Sequence, residues 1–328
     1  MQDPRDVFCD DLDIGRSRIK TSISPIVLFC GGQASEPPPP KSDEPKRKPP
    51  KPKIKSLRHA VVLEHRERNT HSPSFELYMP EQIQNWHDGA IFKNLVQFEE
   101  QLAAICAIVV VIIESPGSIA ELGAFSQQHE LQKKLMVFKS SDFKEPSFIE
   151  LGILKDIKES GNSIFSSPVK GFPWEVNYPH TIEREITVDV LTTIEEGLTS
   201  VNKTEAISDV SSSHTTTIIR ELIKLFVALK ASEISTYLDK LNIFVPQEQL
   251  NQKLFLLRKF NLIKLVEYDS TYYCSIEDGH YNTLRLSTKQ GKHLSATTIM
   301  IDCTAFYNNK NDRRRIGAIK SFRRGGGK

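Results

Sequence analysis

The chain lacks the marks of several large protein classes. Its most apolar run, Ala103–Ile113, is far too short to cross a bilayer. Its first twenty residues have no basic start leading into an apolar core; Asp3, Asp6, Asp10, Asp11 and Asp13 stand there instead, so export by a cleaved leader is not expected. The five cysteines, Cys9, Cys30, Cys106, Cys274 and Cys303, are scattered without paired spacing, and Cys30 and Cys106 fall in apolar strand-like runs. They read as reduced thiols of a cytoplasmic protein, neither a disulfide framework nor a zinc site. His65, His71 and His87 are too irregularly spaced to add a metal centre, and no cofactor is expected. Neither a Walker lysine nor a full dinucleotide fingerprint follows the pair Gly31-Gly32.

The chain does have a sharp division of charge. The net charge is only +2, yet Lys41 to Arg58 and Lys310 to Lys328 each hold eight basic residues against one or two acids, so the remainder is strongly negative. Two such runs read as flexible segments suited to phosphate backbones, or as solvated segments that keep the chain soluble. The first is interleaved with Pro37-Pro38-Pro39-Pro40 and Pro49-Pro50, so residues 35–53 read as a polyproline-like insert.

Val- and Ile-rich runs are the signature of strands buried on both faces. Pro25–Cys30, Phe75–Tyr78, Ala103–Ile113 and Leu135–Phe138 qualify. They alternate with helical patterns at Ile54–Arg68, Phe92–Ala104 and from Ser118 to about Lys133. That alternation predicts an α/β domain, residues 23–206 after an N-terminal arm at 1–22, with a Rossmann- or flavodoxin-like parallel sheet. Further on, a helix is expected at Phe148–Ile157, a turn at Phe172-Pro173-Trp174, and a helix or strand–helix pair over Ile182–Leu198. Ser208–Ser213 reads as a linker. Helices at Thr216–Ala228, from Ala231 to Leu241 with Ser232 as N-cap, and at Pro246–Phe260 precede the hairpin strands Leu262–Val266 and Tyr272–Ile276, a winged helix-turn-helix layout within 214–308. A basic tail, 309–328, follows. Lys253, Arg258 and Lys259 of the third helix and Arg313, Arg314, Arg315, Arg323 and Arg324 of the tail are the candidate nucleic-acid contacts. The helical module could equally serve protein contact or dimerisation.

The segment Ser115-Pro116-Gly117-Ser118-Ile119-Ala120-Glu121 follows the central strand with only Glu114 between. Ligands of open parallel sheets sit beyond the strands' carboxyl ends, where helix N-termini offer free N–H groups. Small residues there admit close approach, hydroxyls add donors, and Glu121 lies where a substrate would lie. Gly31, Gly32, Tyr78, Glu81, Glu114, Ser115, Gly117 and Ser118 are the candidate substrate contacts around it. The plain alternative is a helix-start carboxylate that only complements the dipole.

The set Phe29-Cys30-Gly31-Gly32, Tyr78-Met79-Pro80-Glu81 and Glu114 to Ser126 resembles the nucleoside deoxyribosyltransferase-like effectors of type II retron defence, which join such a domain to a C-terminal winged helix. The insert at 35–53 departs from that pattern. The resemblance implies a toxin that acts as an N-glycosidase on NAD or a related nucleotide, with Glu121 attacking the sugar's anomeric carbon. It also implies partners: the retron reverse transcriptase and its msDNA, an RNA–DNA hybrid, holding the toxin silent until infection, in an assembly that admits a homo-oligomer. No membrane partner is implied. A non-catalytic nucleotide sensor that regulates through nucleic-acid binding is the alternative; cytokinin-style phosphoribohydrolases share the turn-plus-Glu design but carry more glycines and an Arg that Ser118-Ile119-Ala120 does not supply.

Overall fold

The computed structural model describes residues 2–22, 24–34, 54–68, 74–83, 91–141, 149–161, 163–167, 182–201, 203–208, 211–276, 281–291 and 294–325. The Pro-rich insert 35–53, which holds most of the first basic run, and the turn Phe172-Pro173-Trp174 lie outside them. The chain divides into two bodies, one built from residues 26–82 and 106–201, the other from 1–25, 83–105 and 202–328.

The first body is a five-stranded sheet in the order β3 (Glu76–Tyr78), β2 (Ile26–Cys30), β4 (Ile108–Ile112), β5 (Leu135–Ser140), β6 (Ser163–Ser167), parallel throughout. Every residue of β2 and β4 is buried, as their unbroken Ile-Val-Leu-Phe-Cys and Ile-Val-Val-Val-Ile sequences require. Full burial of each such side chain stabilises by roughly 1.5–3 kcal/mol. Helices α2 (Leu57–Arg68) and α7 (Arg184–Ser200) pack together, and Val61, Val62, Val190, Leu191 and Ile194 share one core with Val27, Phe29, Val110 and Ile112. Gly197 lets α7 lie close to the sheet, because a Cβ there would overlap the end of Met136. Helices α4 (Pro116–Ser126), α5 (His129–Gln132) and α6 (Lys155–Glu159), the last preceded by a π-type turn at Ile149–Leu154, complete the described part.

Two details differ from the sequence reading. The apolar run is split: Ala103–Ile105 finish helix α3 (Leu95–Ile105), which belongs to the other body, and only Ile108–Ile112 extend. Ala favours helix where Val and Ile favour strand, so the boundary falls where the composition changes. A fifth strand, β6, went unforeseen because Ser163, Ser166 and Ser167 dilute its apolar signal, as suits a strand at a sheet's edge.

The second body opens with α1 (Pro4–Asp11) and contains a small antiparallel sheet in the order β10 (Thr283–Arg285), β1 (Arg18–Lys20), β7 (Thr204–Ala206). Helices α8 (Ser212–Leu225), α9 (Ala231–Lys240) and α10 (Gln247–Lys259) precede the antiparallel pair β8 (Ile263–Glu267) and β9 (Thr271–Ser275). Leu229, between α8 and α9, bridges to Tyr273 of β9 through N–H···O contacts of 3.1 and 2.7 Å. Ser211 caps α8, so that helix begins inside the expected linker. The N-cap of α9 is Lys230, not Ser232: the Glu233 carboxylate reaches back to accept from the Lys230 N–H at 2.9 Å. Helix α11 (Ala296–Asn309) follows, and the expected basic tail is folded as α12 (Arg313–Gly325). It folds because it is amphipathic: Arg315, Ala318 and Ile319 are buried while Arg313, Arg314, Lys320, Arg323 and Arg324 are exposed.

Candidate active site at the ends of β2 and β4

The sheet order puts the topological switch between β2 and β4, where successive connections leave in opposite directions. At the C-terminal end of β4 the buried Glu114 carboxylate accepts three backbone N–H bonds, from Gly32 at 2.9 Å, Leu57 at 2.8 Å and Arg58 at 3.0 Å. It stitches the turn after β2 to the first turn of α2. Gly32 is required for that closeness, since a Cβ would lie 2.8 Å from Ser56 and 2.9 Å from the Glu114 carboxyl carbon. Gly31 is confined as well, with Arg58 and Glu114 each 3.1 Å from an added Cβ. Both glycines and Glu114 therefore hold the turn after β2 against the first turn of α2, beside the start of α4.

Helix α4 begins at Pro116 with Ser115 as N-cap. Ser115 Oγ accepts from the Ser118 N–H at 3.0 Å, and Ser118 Oγ accepts from the N–H groups of Ser115 at 3.0 Å and Glu114 at 3.2 Å. The two hydroxyls are spent on this reciprocal cap, and Ser118 is fully buried. Gly117 is exposed, and an added Cβ would meet Ser115 Oγ at an ordinary 3.7 Å. Because the helix starts two residues before the expected Ser118, Glu121 falls in its second turn. There a carboxylate gains little from the helix dipole.

Glu121 is partly buried, and its Oε2 is enclosed with no hydrogen-bond partner among the described residues. Burial pushes its carboxyl up to about 7, the Arg58 guanidinium opposes the rise, the Glu81 carboxylate adds to it, and a hydrogen bond from the Cys30 thiol opposes it. Arg58 is the member of the site that the sequence reading missed. Only 2% of its side chain reaches solvent. It makes a bidentate pair with Glu81, both N···O distances 2.7 Å, and donates to the Gly32 carbonyl at 3.2 Å. Its Nε has no partner among the described residues. Crowding by protein atoms opposes ionisation of Glu81 although 61% of its side chain is exposed. Arg58 outweighs this and holds the carboxyl below the usual carboxylate range. The signal was present: Arg58, Val61, Val62 and His65 recur at helical spacing, which puts the arginine on the buried face of α2 and sets it apart from the Lys- and Pro-rich sequence before it. Tyr78, half-buried, ends β3 two residues before the turn that carries Glu81.

Comparison with known families decides the class. The model of the STM3845 retron effector protein matches residues 54–265, well over half the chain. The chain belongs to that retron effector family. Two curated relatives from Escherichia coli, of retrons Ec73 and Ec86, are each named "putative ribosyltransferase/DNA-binding protein". The effector is 33% identical to the first over 73 residues, 22% of its own length and 23% of the relative's. To the second it is 36% identical over 67 residues, 20% of its own length and 22% of the relative's. The matched stretch thus spans under a quarter of either relative.

The effector's candidate nucleic-acid residues separate into two groups. Lys253 is buried in the second body, its ammonium donating to Ser212 Oγ at 2.6 Å, the Ser212 carbonyl at 3.1 Å and Thr216 Oγ1 at 3.3 Å. Arg315 is buried as well, held by Glu233 at 2.6 Å, Asp312 at 3.0 Å and the Ala228 carbonyl at 2.6 Å. Neither side chain is presented to a phosphate backbone, because each is consumed in tying helices together. Arg258, Lys259, Arg313, Arg314, Arg323 and Arg324 are exposed. Among the described residues no helix is long and apolar enough to cross a membrane, and no group of three His, Cys, Asp or Glu could hold a metal ion.

Proposed function

We propose that this retron effector is an N-glycosidase that removes the base from NAD or a related nucleotide, with Glu121 as nucleophile. The observation that carries the reading is the enclosed, unpartnered Oε2 of Glu121 beside Arg58 at the sheet's switch point. A Glu121 oxygen attacks C1′, the C1′–N bond breaks, and its electron pair leaves with the base. Water then adds to C1′ and frees the carboxylate. The raised carboxyl makes the nucleophile available mainly above pH 7, so base release rises with pH through that value. Glu81, ionised in its pair with Arg58, is a poor proton donor. Nicotinamide leaves a cationic pyridinium as a neutral base and needs no proton, whereas adenine does, which favours an NAD-type substrate.

In the same reading the second body is a winged helix, supported by three helices, a hairpin and the Leu229–Tyr273 bridge. It engages nucleic acid of the retron complex, the reverse transcriptase with its RNA–DNA msDNA, which restrains the toxin until phage infection. The relatives' names, which pair ribosyl transfer with DNA binding, support this division of labour. Incubating the purified chain with NAD and a panel of nucleotides, then resolving free base by chromatography, tests the activity. Nicotinamide release is expected. Tight binding of a nucleotide without release of any base identifies a sensor instead, an outcome favoured by burial that opposes ionisation of the Glu121 carboxyl.

A further inference from the structure

Helix α12 is the only stretch of the second body, among the described residues, where five exposed cations share one helix: Arg313, Arg314, Lys320, Arg323 and Arg324. At 100° per residue, Arg313, Lys320 and Arg324 fall on one line along the helix, with Arg314 and Arg323 on its flanks. The opposite face is fixed. Arg315 points inward to Glu233, Ala318 and Ile319 are buried, and α12 packs on β8 and β9. Gly317 accepts the Tyr268 ring so closely that a Cβ would overlap it, which seats the helix on the hairpin's turn. Among the described residues, no acid forms an ion pair with any of the five cations. Such a row of unneutralised charge, held in a rigid frame, is costly unless an anionic partner or salt compensates it.

Helix α10, the groove-reading element of a winged helix, is encumbered. Gln252 donates to the Ile91 carbonyl at 3.0 Å, Phe255 meets Phe92 edge-on with ring centroids 5.7 Å apart, and Lys93 pairs with Glu248 at 3.2 Å. Its middle is therefore covered by residues 91–93, and its lysine at 253 is turned into the core. Exposed at its start are Gln247, Glu248, Gln249 and Asn251, which carry no positive charge.

We infer that the phosphodiester backbone of nucleic acid binds along α12, outside the groove-reading helix, and that this contact reads charge and not sequence. The inference rests on the nucleic-acid reading above and assigns it a surface. From Arg313 to Arg324 the helix rises about 16 Å. One strand of duplex DNA presents a phosphate about every 3.4 Å of axis, so about five phosphates face five cations. Arg and Lys are the ordinary partners of phosphate oxygens, and an arginine reads a guanine edge only from inside a groove, so the scrambled-sequence probe tests that charge alone is read.

The full chain is tested by fluorescence anisotropy against a 20-base-pair DNA duplex, an RNA–DNA hybrid and a DNA single strand across a salt series. Anionic phospholipid vesicles serve as a second polyanion. Two variants accompany the wild type: Arg313→Gln/Lys320→Gln/Arg324→Gln, and Arg258→Gln/Lys259→Gln. All five sites are exposed, so both variants should melt like the wild type. The inference expects the α12 variant to weaken binding and to flatten the log K against log salt slope by nearly three units on duplex and about two on single strand. The α10 variant should change it by less than the α12 variant does. Scrambling the probe's sequence should leave affinity within about twofold. Retained affinity and slope in the α12 variant, with loss in the α10 variant, overturns the assignment while keeping the nucleic-acid reading. Failure of the wild type to bind any of the three probes overturns both, and loss confined to vesicles reassigns the face to a lipid surface.

Discussion

Glu114 and Glu121 lie seven residues apart and have opposite fates. Glu114 accepts from three N–H donors in two separate chain segments, so its carboxylate ties the turn after β2 to the start of α2. Glu114→Gln keeps one acceptor but turns an amide N–H₂ toward backbone donors. Charged hydrogen bonds contribute about 1.5–3 kcal/mol each, so the variant should lose roughly 3 kcal/mol, read as a lower midpoint in denaturant. For Glu121, burial dominates. Its carboxyl is raised from 4.5 to about 7 in the folded chain. Between those values the folded state holds a proton that the unfolded state has released, so stability falls as pH rises through this window, and the full penalty is present above 7. Glu121→Gln should therefore melt higher than the wild type at pH 8, by up to about 3 kcal/mol, and match it at pH 4. Equal melting at both pH values would contradict the enclosed carboxyl described here. At this scale Glu121 stands out in the sequence through its place after a buried strand, whereas Arg58 does not, because Lys51, Lys53 and Lys55 precede it closely in the chain. The donors to Glu114 come from residues far away in sequence, at positions 32, 57 and 58, which no local pattern announces.

At the scale of elements, strands buried on both faces are legible because each is specified by a short, local, apolar run. β6 and the three-residue strands β1, β7 and β10 are not legible, since their pairing joins segments up to 267 residues apart (Arg18 with Arg285) and their composition carries no period. The C-terminal helix teaches a related lesson. Eight basic residues suggest a solvated tail, yet the Arg315 guanidinium donates to the Glu233 carboxylate, which also accepts from Arg5 of α1, and its ring contacts with Tyr307 and Tyr272 lie at 4.7 and 5.3 Å. Both ends of the chain are thus held in the second body by one carboxylate. Gly317→Ala tests the seating of α12: although Ala favours helix, its Cβ must displace the Tyr268 ring, and overpacking of this kind costs about 1–3 kcal/mol. A lower melting temperature is expected, and an unchanged or higher one would show α12 to be loosely held.

Across the whole molecule, one basic run falls within the span of the α/β body and the other within that of the second body. The α/β body carries a carboxylate site at the carboxyl ends of its central strands, and the second body carries a cationic helix. The parallel sheet was readable from the alternation of strand and helix, and its switch point follows from the strand order, which no local pattern encodes. Membership of a retron effector family gives the two parts a shared setting. The account stands or falls on the acid at 121. Nicotinamide release from NAD, followed by chromatography for the wild type and for Glu121→Gln at equal concentration and pH 8, is the most direct test. The wild type should release base and the variant, though stably folded, should not. Equal release by both would contradict the account.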